Sequence, residues 1–463
     1  MIITTSDINQ IYSAALISRL LYLLISVISN IFIIDHTPDS FSIPNLSLKE
    51  FNFLDNIIWI IFSGLLRWDA QHFFHIAING YTYENNLAFF PLYPIIIKYF
   101  SYLFKYILNI NIITSLLLSS FLINLLFFIK ASTTLYILTY TIFKNQLFSY
   151  YTVLFYCISP ATIFFLAPYT ETIFSFCVFK GMLKYTQNKH WQSLIWFSVS
   201  SLIRSNGIIN VGFILHLYFY YMFLKKFKDF KTILKYGIYS ILSIICISIP
   251  FITFQLYIYL HFCITKHIHT MVIYDYARDY GLLLAGNNKV PWCNYTIPFS
   301  YQYIQEHYWN VGFFKYYTIK QIPNFCLALP ITIIIFKYCL KYFYNYWKLL
   351  FKVDRIYKYD DISYNRLTPS VFVFAVHILY LTIFAIININ VQVTTRLIAS
   401  SSPFIYWIAS QEFIDNEKYK ELIPFLKWIS LFNKRKSGNL IKFYFIFYAI
   451  LGIILFSNNF PWT

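Results

Sequence analysis

The sequence predicts an all-α polytopic membrane protein, and three observations carry that expectation. The chain is 59% hydrophobic and only 12% charged, with a mean hydropathy of +0.57, well outside the range of a soluble globular domain. Apolar runs of roughly 17–25 residues recur from end to end, each long enough to cross a hydrocarbon core about 30 Å thick. The runs also lack the ~10-residue alternating segments that a closed β-barrel requires.

Taken in order, the first run covers residues 11–34. It follows MIITTSDINQ, which lacks the basic start of a cleaved signal peptide, so a signal-anchor and first span are expected. Arg19 lies near the start of that run and is expected to snorkel to the near surface. Further spans are expected near 89–108, 112–130, 131–143, 147–167, 171–187, 191–206, 207–224, 236–260, 323–344, 370–390, 396–411 and 441–457. The stretches 131–143 and 396–411 are short and read as re-entrant or packed inside the bundle. The expected total is ~11–13 spans in a single integral-membrane domain over residues 1–463, with no internal repeat.

The net charge of +17 is read as membrane topology, since cytosolic loops carry excess Lys and Arg. Nucleic-acid binding would need a basic face on a soluble module, and no such module is evident. Basic loops at 225–235, 345–369 and 412–440 are therefore expected in the cytosol. Strict alternation then puts 35–88, 261–322 and 391–395 on the opposite side, together with PYTE (168–171) and RSNG (204–207). Both N-x-S/T sequons, Asn45 and Asn294, fall there as well. The seven cysteines show no metal-ligand spacing. Cys263 and Cys293 flank the loop at 261–322 and could pair in an oxidising lumen.

The polar residues that look like chemistry gather on that one side. The stretch 67–94, RWDAQHFFHIAINGYTYENNLAFFPLYP, sets Arg67, Asp69, His72, His75 and Glu84 among aromatics including Trp68. A carboxylate held where membrane meets water can act as a general base; equally, Asp69 could be a loop carboxylate paired with Arg67 or His72. Glu84 is a candidate substrate contact, although it lies in a turn-rich loop where solvation alone would explain it. In PYTE, Glu171 is either a substrate contact or a favourable first-turn acid at a helix start capped by Thr170. Arg204 and Asn206 could bind phosphate, or mark a helix break.

The long loop supplies Trp292, Gln302, Gln305 and Trp309, and Gln321 and Asn324 follow it. Apolar ring faces beside amides suit sugar rings, although an interfacial aromatic belt gives the same composition. In QVTTR, Gln392 precedes Arg396, whose guanidinium at the start of a span can take a phosphate bidentately or simply snorkel.

WDAQHFFHIAINGY followed by AFFPLYP resembles the first-loop signature of the PIG-V family, GPI mannosyltransferase II. SPATIFFLAPYTETIFS, RSNG, PWCNYTIPFSYQYIQEHYWNVGF, IPNFCLALP and QVTTRLIASSSPFIYW are similar to that family's later blocks, in the same order. The resemblance runs from about residue 60 to 410, and the stretches 337–366 and 412–440 match only weakly.

The resemblance implies a GT-C-type bundle in the endoplasmic reticulum membrane with a luminal site. It implies dolichyl-phosphate-mannose as donor, a GPI lipid intermediate as acceptor, and transfer of the second mannose in α1,6 linkage with inversion. Asp69 matches the acidic first-loop position central to that superfamily. Arg396, Arg204 and His72 would then neutralise the departing phosphate, while Trp292, Gln302, Gln305 and Trp309 would hold acceptor glycan. Membrane lipids and a small membrane partner subunit are further partners that the family brings to mind; nucleic acid is not. No cofactor is firmly implied, and a metal held by Asp69, His72 and Glu84 is the less favoured reading. Other readings stay open: a different dolichyl-phosphate-mannose-dependent transferase, acting on an N-glycan precursor or another GPI mannose, or a lipid-linked-sugar flippase. A flippase should carry charges at the bilayer midplane or paired broken helices, whereas the polar clusters here gather at one face.

Overall fold

The computed structural model describes residues 5–37, 40–44, 51–219, 230–286, 290–351, 371–415 and 440–462. The described helices are α1 (Thr5–Phe32), α2 (Phe53–Phe62), α3 (Asp69–Asn79), α4 (Leu92–Leu108), α5 (Ile112–Phe143) and α6 (Gln146–Cys157). There follow α7 (Glu171–Thr186), α8 (His190–Ile203), α9 (Val211–Phe219), α10 (Phe230–Tyr259), α11 (Met271–Asp279) and α12 (Ser300–Trp309). The set is completed by α13 (Ile322–Phe351), α14 (Phe372–Asn388), α15 (Thr394–Ser401), α16 (Phe404–Asp415) and α17 (Leu440–Ser457). Helices thus account for all the regular structure among the described residues. Among the described residues, five helical stretches are long and apolar enough to cross a membrane: Thr5–Phe32, Ile112–Phe143, Phe230–Ile264, Ile319–Asn345 and Leu440–Ser457. This is a multi-pass, all-α membrane protein.

Two of the expected spans are corrected. Residues 112–130 and 131–143 form one helix, α5. Lys130, where the two expected runs meet, is exposed and holds its ammonium 5.5 Å from the Phe127 ring, so it leaves the helix side-on without interrupting it. The second correction concerns 89–108. Helices α1 and α5 run antiparallel. Asp7 meets Gln146 (2.6 Å) at one end, Arg19 covers the Phe128 ring (4.0 Å) midway, and Asn30 bonds Ser63 while Phe62 packs on Phe121 at the other. The chain therefore enters α5 at the end where it left α1. Helix α4 begins beside the interior of α5, through Asn124 and Tyr93 (3.3 Å), and finishes where Asn52 bonds Asn109 O (2.8 Å). It is one arm of a same-side hairpin, not a crossing. Removing two spans leaves the alternation of everything after them unchanged.

Arg19 is a third correction. It is fully buried and does not snorkel. Its guanidinium donates to Cys157 O (2.6 Å), Thr162 O (3.2 Å) and Thr162 Oγ1 (2.6 Å). Helix α6 stops at Cys157, ahead of Ser159 and Pro160, and its terminal carbonyls have no water to bond in the bilayer interior. Arg19 supplies those donors from α1.

Of the remaining expected spans, 236–260, 323–344 and 441–457 are met by α10, α13 and α17, whereas 147–167 ends early in α6 and 396–411 is split into α15 and α16 at Ser402–Pro403. Asn45 and the cores of the basic loops, residues 225–229, 352–369 and 416–439, lie outside the described residues. Cys263 and Cys293 are joined in a disulfide with Cα atoms 5.7 Å apart.

Candidate active site

Four charged residues sit at helix termini and converge. Asp69 is the first residue of α3, Glu171 the first of α7, Arg204 follows the last residue of α8, and Arg396 lies in the first turn of α15. Each placement suits its charge: acids are favourable near helix N-termini and cations near C-termini, within the first or last turn. Arg396, near an N-terminus, is the exception, and two carboxylates face it.

Asp69 is delivered by a strained turn. Trp68 has φ +52° and ψ −123°, a region an L-residue with a large side chain seldom adopts. The Asp69 N–H donates to Tyr169 Oη (3.1 Å), which ties the start of α3 to the loop before α7. The carboxylate then accepts from Arg396 Nη1 through Oδ2 at 2.8 Å. Its partner is thus Arg396, 327 positions away, and neither Arg67 nor His72. Arg396 also lies beside the Phe164 and Tyr169 rings, 5.2 and 5.6 Å from their centroids, and its Nε is 3.6 Å from Glu171 Oε1. Glu171 is paired with Arg204, which also reaches Thr170 Oγ1 at 3.3 Å. The result is a chain of alternating charge: Asp69, Arg396, Glu171, Arg204.

Arg67 turns elsewhere. It donates to Asn30 Oδ1 (2.9 Å), Asp35 Oδ2 (2.8 Å) and Ser457 O (3.2 Å), fastening the turn to α1 and α17. Asn206 donates to Ser401 Oγ at 3.1 Å, which brings RSNG against α15.

His72 is buried and stacked between Phe41 (4.2 Å) and Phe89 (4.5 Å), with Nδ1 2.8 Å from Asn86 Oδ1. Burial pulls its pKa down to about 4, so the ring is neutral at neutral pH.

Glu84 is likewise buried rather than solvated. It accepts from Trp292 Nε1 (2.7 Å) and Tyr308 Oη (3.0 Å), and burial raises its pKa above the usual carboxylate range. These bonds join the first loop to the second. Trp292 is itself buried, while Trp309 is half-buried, edge-on to Phe89 at 5.9 Å and 6.3 Å from His72. Gln302 is exposed and Gln305 half-buried on α12. Gln321, Asn324 and Gln392 are brought together by a residue the sequence reading passed over: Asn324 Nδ2 donates to Gln321 Oε1 (2.6 Å) and Tyr316 Oη (2.7 Å), and Tyr316 donates to Gln392 (3.0 Å). Tyr169, Asn86, Tyr308 and Tyr316 were all missed, although Tyr169 stands in PYTE, Asn86 in the stretch 67–94 and Tyr308 in the block that begins PWCNYT. No three His, Cys, Asp or Glu side chains stand together as a metal-ligand set among the described residues.

The sequence pattern of the mannosyltransferase (PIG-V) family matches residues 8–463. This chain belongs to that family. It is similar over nearly its full length to PIG-V family members from distant organisms. GPI mannosyltransferase 2 of Drosophila pseudoobscura pseudoobscura is 32% identical over 476 residues, covering 98% of this chain and 100% of the fly protein. GPI alpha-1,6-mannosyltransferase 2 of Homo sapiens is 31% identical over 489 residues, covering 98% of each. GPI mannosyltransferase 2 of Schizosaccharomyces pombe is 29% identical over 449 residues, covering 96% of this chain and 83% of the yeast protein. As a PIG-V mannosyltransferase, the chain holds its convergent charges within a membrane-embedded helical bundle, the setting a lipid-linked sugar donor requires.

Proposed function

We propose that this chain is an inverting mannosyltransferase of GPI-anchor biosynthesis, facing the lumen of the endoplasmic reticulum. It moves mannose from dolichyl-phosphate-mannose to the 6-hydroxyl of the mannose on a one-mannose GPI intermediate. Membership of the PIG-V family and the printed activities of its relatives support the reaction. The observation that carries the site is the Asp69–Arg396 pair at 2.8 Å: a carboxylate able to take a proton stands directly against a cation able to take a phosphate.

In the proposed step Asp69 accepts the proton of the acceptor 6-hydroxyl as that oxygen attacks the anomeric carbon, on the face opposite the phosphate. The carbon–oxygen bond to phosphate breaks, its electron pair leaves on dolichyl phosphate, and the β-linked donor yields an α-glycoside. Inverting hydrolases need both an acid and a base; a phosphate leaves without protonation, so one base suffices. Arg396 and Arg204 stabilise the charge that grows on the leaving phosphate. Trp309 and the Gln321–Asn324–Tyr316–Gln392 network would hold the glycan headgroup of the acceptor.

The luminal assignment draws on the Cys263–Cys293 disulfide, a bond at home in an oxidising compartment. His261, two residues before it, bonds Tyr81 O (3.0 Å), and Trp292 bonds Glu84, so the disulfide belongs to the same loops as Asp69. The test uses microsomes supplied with labelled dolichyl-phosphate-mannose and a one-mannose GPI acceptor. An α1,6-dimannosyl lipid formed by the wild type and lost, by about 10²–10⁴-fold, in Asp69→Asn supports the reading. No product from the wild type, or undiminished product from the variant, overturns it.

A further inference from the structure

The charges at the site balance before any substrate arrives. Two carboxylates, Asp69 and Glu171, face two guanidinium groups, Arg396 and Arg204, in one continuous chain. A phosphodiester entering this cluster finds no spare positive charge, so it must displace one of the carboxylates. Exposure decides which. The Glu171 side chain is 1% exposed and is held by Arg204 and Thr170, whereas that of Asp69 is 26% exposed. Arg396 keeps one anchor when Asp69 lets go, because its Nε makes no hydrogen bond yet lies 3.6 Å from Glu171 Oε1. The guanidinium can therefore trade Asp69 for a phosphate oxygen without leaving its place against Phe164 and Tyr169.

Resting on the reading above, we propose that donor phosphate unmasks the base. It takes Arg396 Nη1 from Asp69 and frees that carboxylate for the acceptor hydroxyl, while Glu171 is the positioning residue that keeps Arg396 and Arg204 in place and the resting cluster neutral. A carboxylate bonded to a guanidinium has one oxygen occupied. Before the donor binds, the acceptor thus meets a blocked site; afterwards it meets a free one. The exchange makes donor-first order a property of the charge count.

The distinguishing variant is Glu171→Gln, close in shape but lacking the charge. Its cluster carries one excess positive charge in a half-buried site, so the donor and the more highly charged dolichyl phosphate product both bind more tightly. Donor KM should fall on the order of tenfold, and kcat should fall with it as release of the more highly charged product slows. Glu171→Asp, which keeps the charge, should restore both toward wild type. A purely structural glutamate would lower kcat and leave donor KM unchanged or raised; that pattern in folded Glu171→Gln overturns the proposal. Where the variant does not fold, the wild type supplies the test. The dissociation constant of a synthetic one-mannose GPI headgroup is measured with and without dolichyl phosphate. A tightening of about 5–150-fold supports the exchange, and equal affinities overturn it. Wild-type turnover in the same preparation separates the two ideas. Absence of mannosyl transfer counts against the function, while transfer with unshifted donor KM in Glu171→Gln counts only against the exchange.

Discussion

The tie between the two loops is open to a sharp perturbation, Trp292→Phe. The indole N–H donates to Glu84 Oε1 at 2.7 Å, and both residues are buried. A hydrogen bond to a charged group contributes about 1.5–3 kcal/mol, and the smaller ring adds a cavity cost on the order of 1 kcal/mol. A loss near 3 kcal/mol raises the population of the opened loop by about a hundredfold. Hydrogen exchange at the backbone amides of 84–88 and 300–309, in detergent, measures that population directly. Glu84→Gln should cost less, because the amide oxygen still accepts a hydrogen bond and no buried charge remains. In the double variant the two effects should fall short of their sum. The pH dependence has a definite sign. Burial raises the Glu84 pKa, so the folded loop holds its proton to higher pH than the unfolded chain does. The tie is therefore strongest below the ordinary carboxylate range and weakens as pH rises through the raised value. Losing the Trp292 bond, which favours the charged form, should steepen that decline. Exchange within twofold of wild type in Trp292→Phe would refute the argument.

Further outcomes are expected. Arg19→Met should leave the carbonyls of Cys157 and Thr162 without donors and cost on the order of 3 kcal/mol, read as a lower melting temperature in detergent with donor KM unchanged in the surviving enzyme. Cys263→Ser with Cys293→Ser opens a loop of sequence separation 30. By loop entropy it should cost about 3.5 kcal/mol, seen as a lower melting temperature and as loss of the mobility change on reduction in a gel. His72 has its pKa pulled down to about 4, below its unfolded value. Its contribution to stability is therefore complete above the unfolded pKa and is lost as pH falls toward 4. His72→Asn should accordingly flatten the acid limb of the stability profile without removing any inflexion in activity between about pH 6.5 and 8.

Two basic residues in apolar runs show what a sequence can and cannot disclose. Lys130 is an exposed side chain on an unbroken helix, whereas Arg19 looked free to snorkel and is fully buried. Their surroundings decide the difference, and the carbonyls that hold Arg19 lie 138 and 143 positions away. The candidate site follows the same division. Asp69, Glu171, Arg204 and Arg396 stood out as charges in apolar surroundings at motif positions, so their types and their common side could be read. Which charge meets which could not, because Asp69 offered nearer partners in Arg67 and His72. Glu84 and Trp292, 208 positions apart, each looked like a substrate contact because a buried loop-to-loop bond uses the same residue types as a sugar site. The bundle class was legible from composition alone; the same-side turn of α4 was not, since an apolar helix lying along its neighbour has the composition of one that crosses.

Helix α17 has a bearing on how the protein is made. Ser457 bonds Ser26 (2.7 Å), Asn458 bonds Ser29 (2.7 Å), and Arg67, two positions before Asp69, leans on Ser457 O. Helix α1 is thus closed by a residue 431 positions further along the chain, and the turn that aims Asp69 is braced across that seam. Until residues 440–458 have been synthesised and inserted, the nascent chain holds every charged side chain of the site yet lacks the strut behind Asp69.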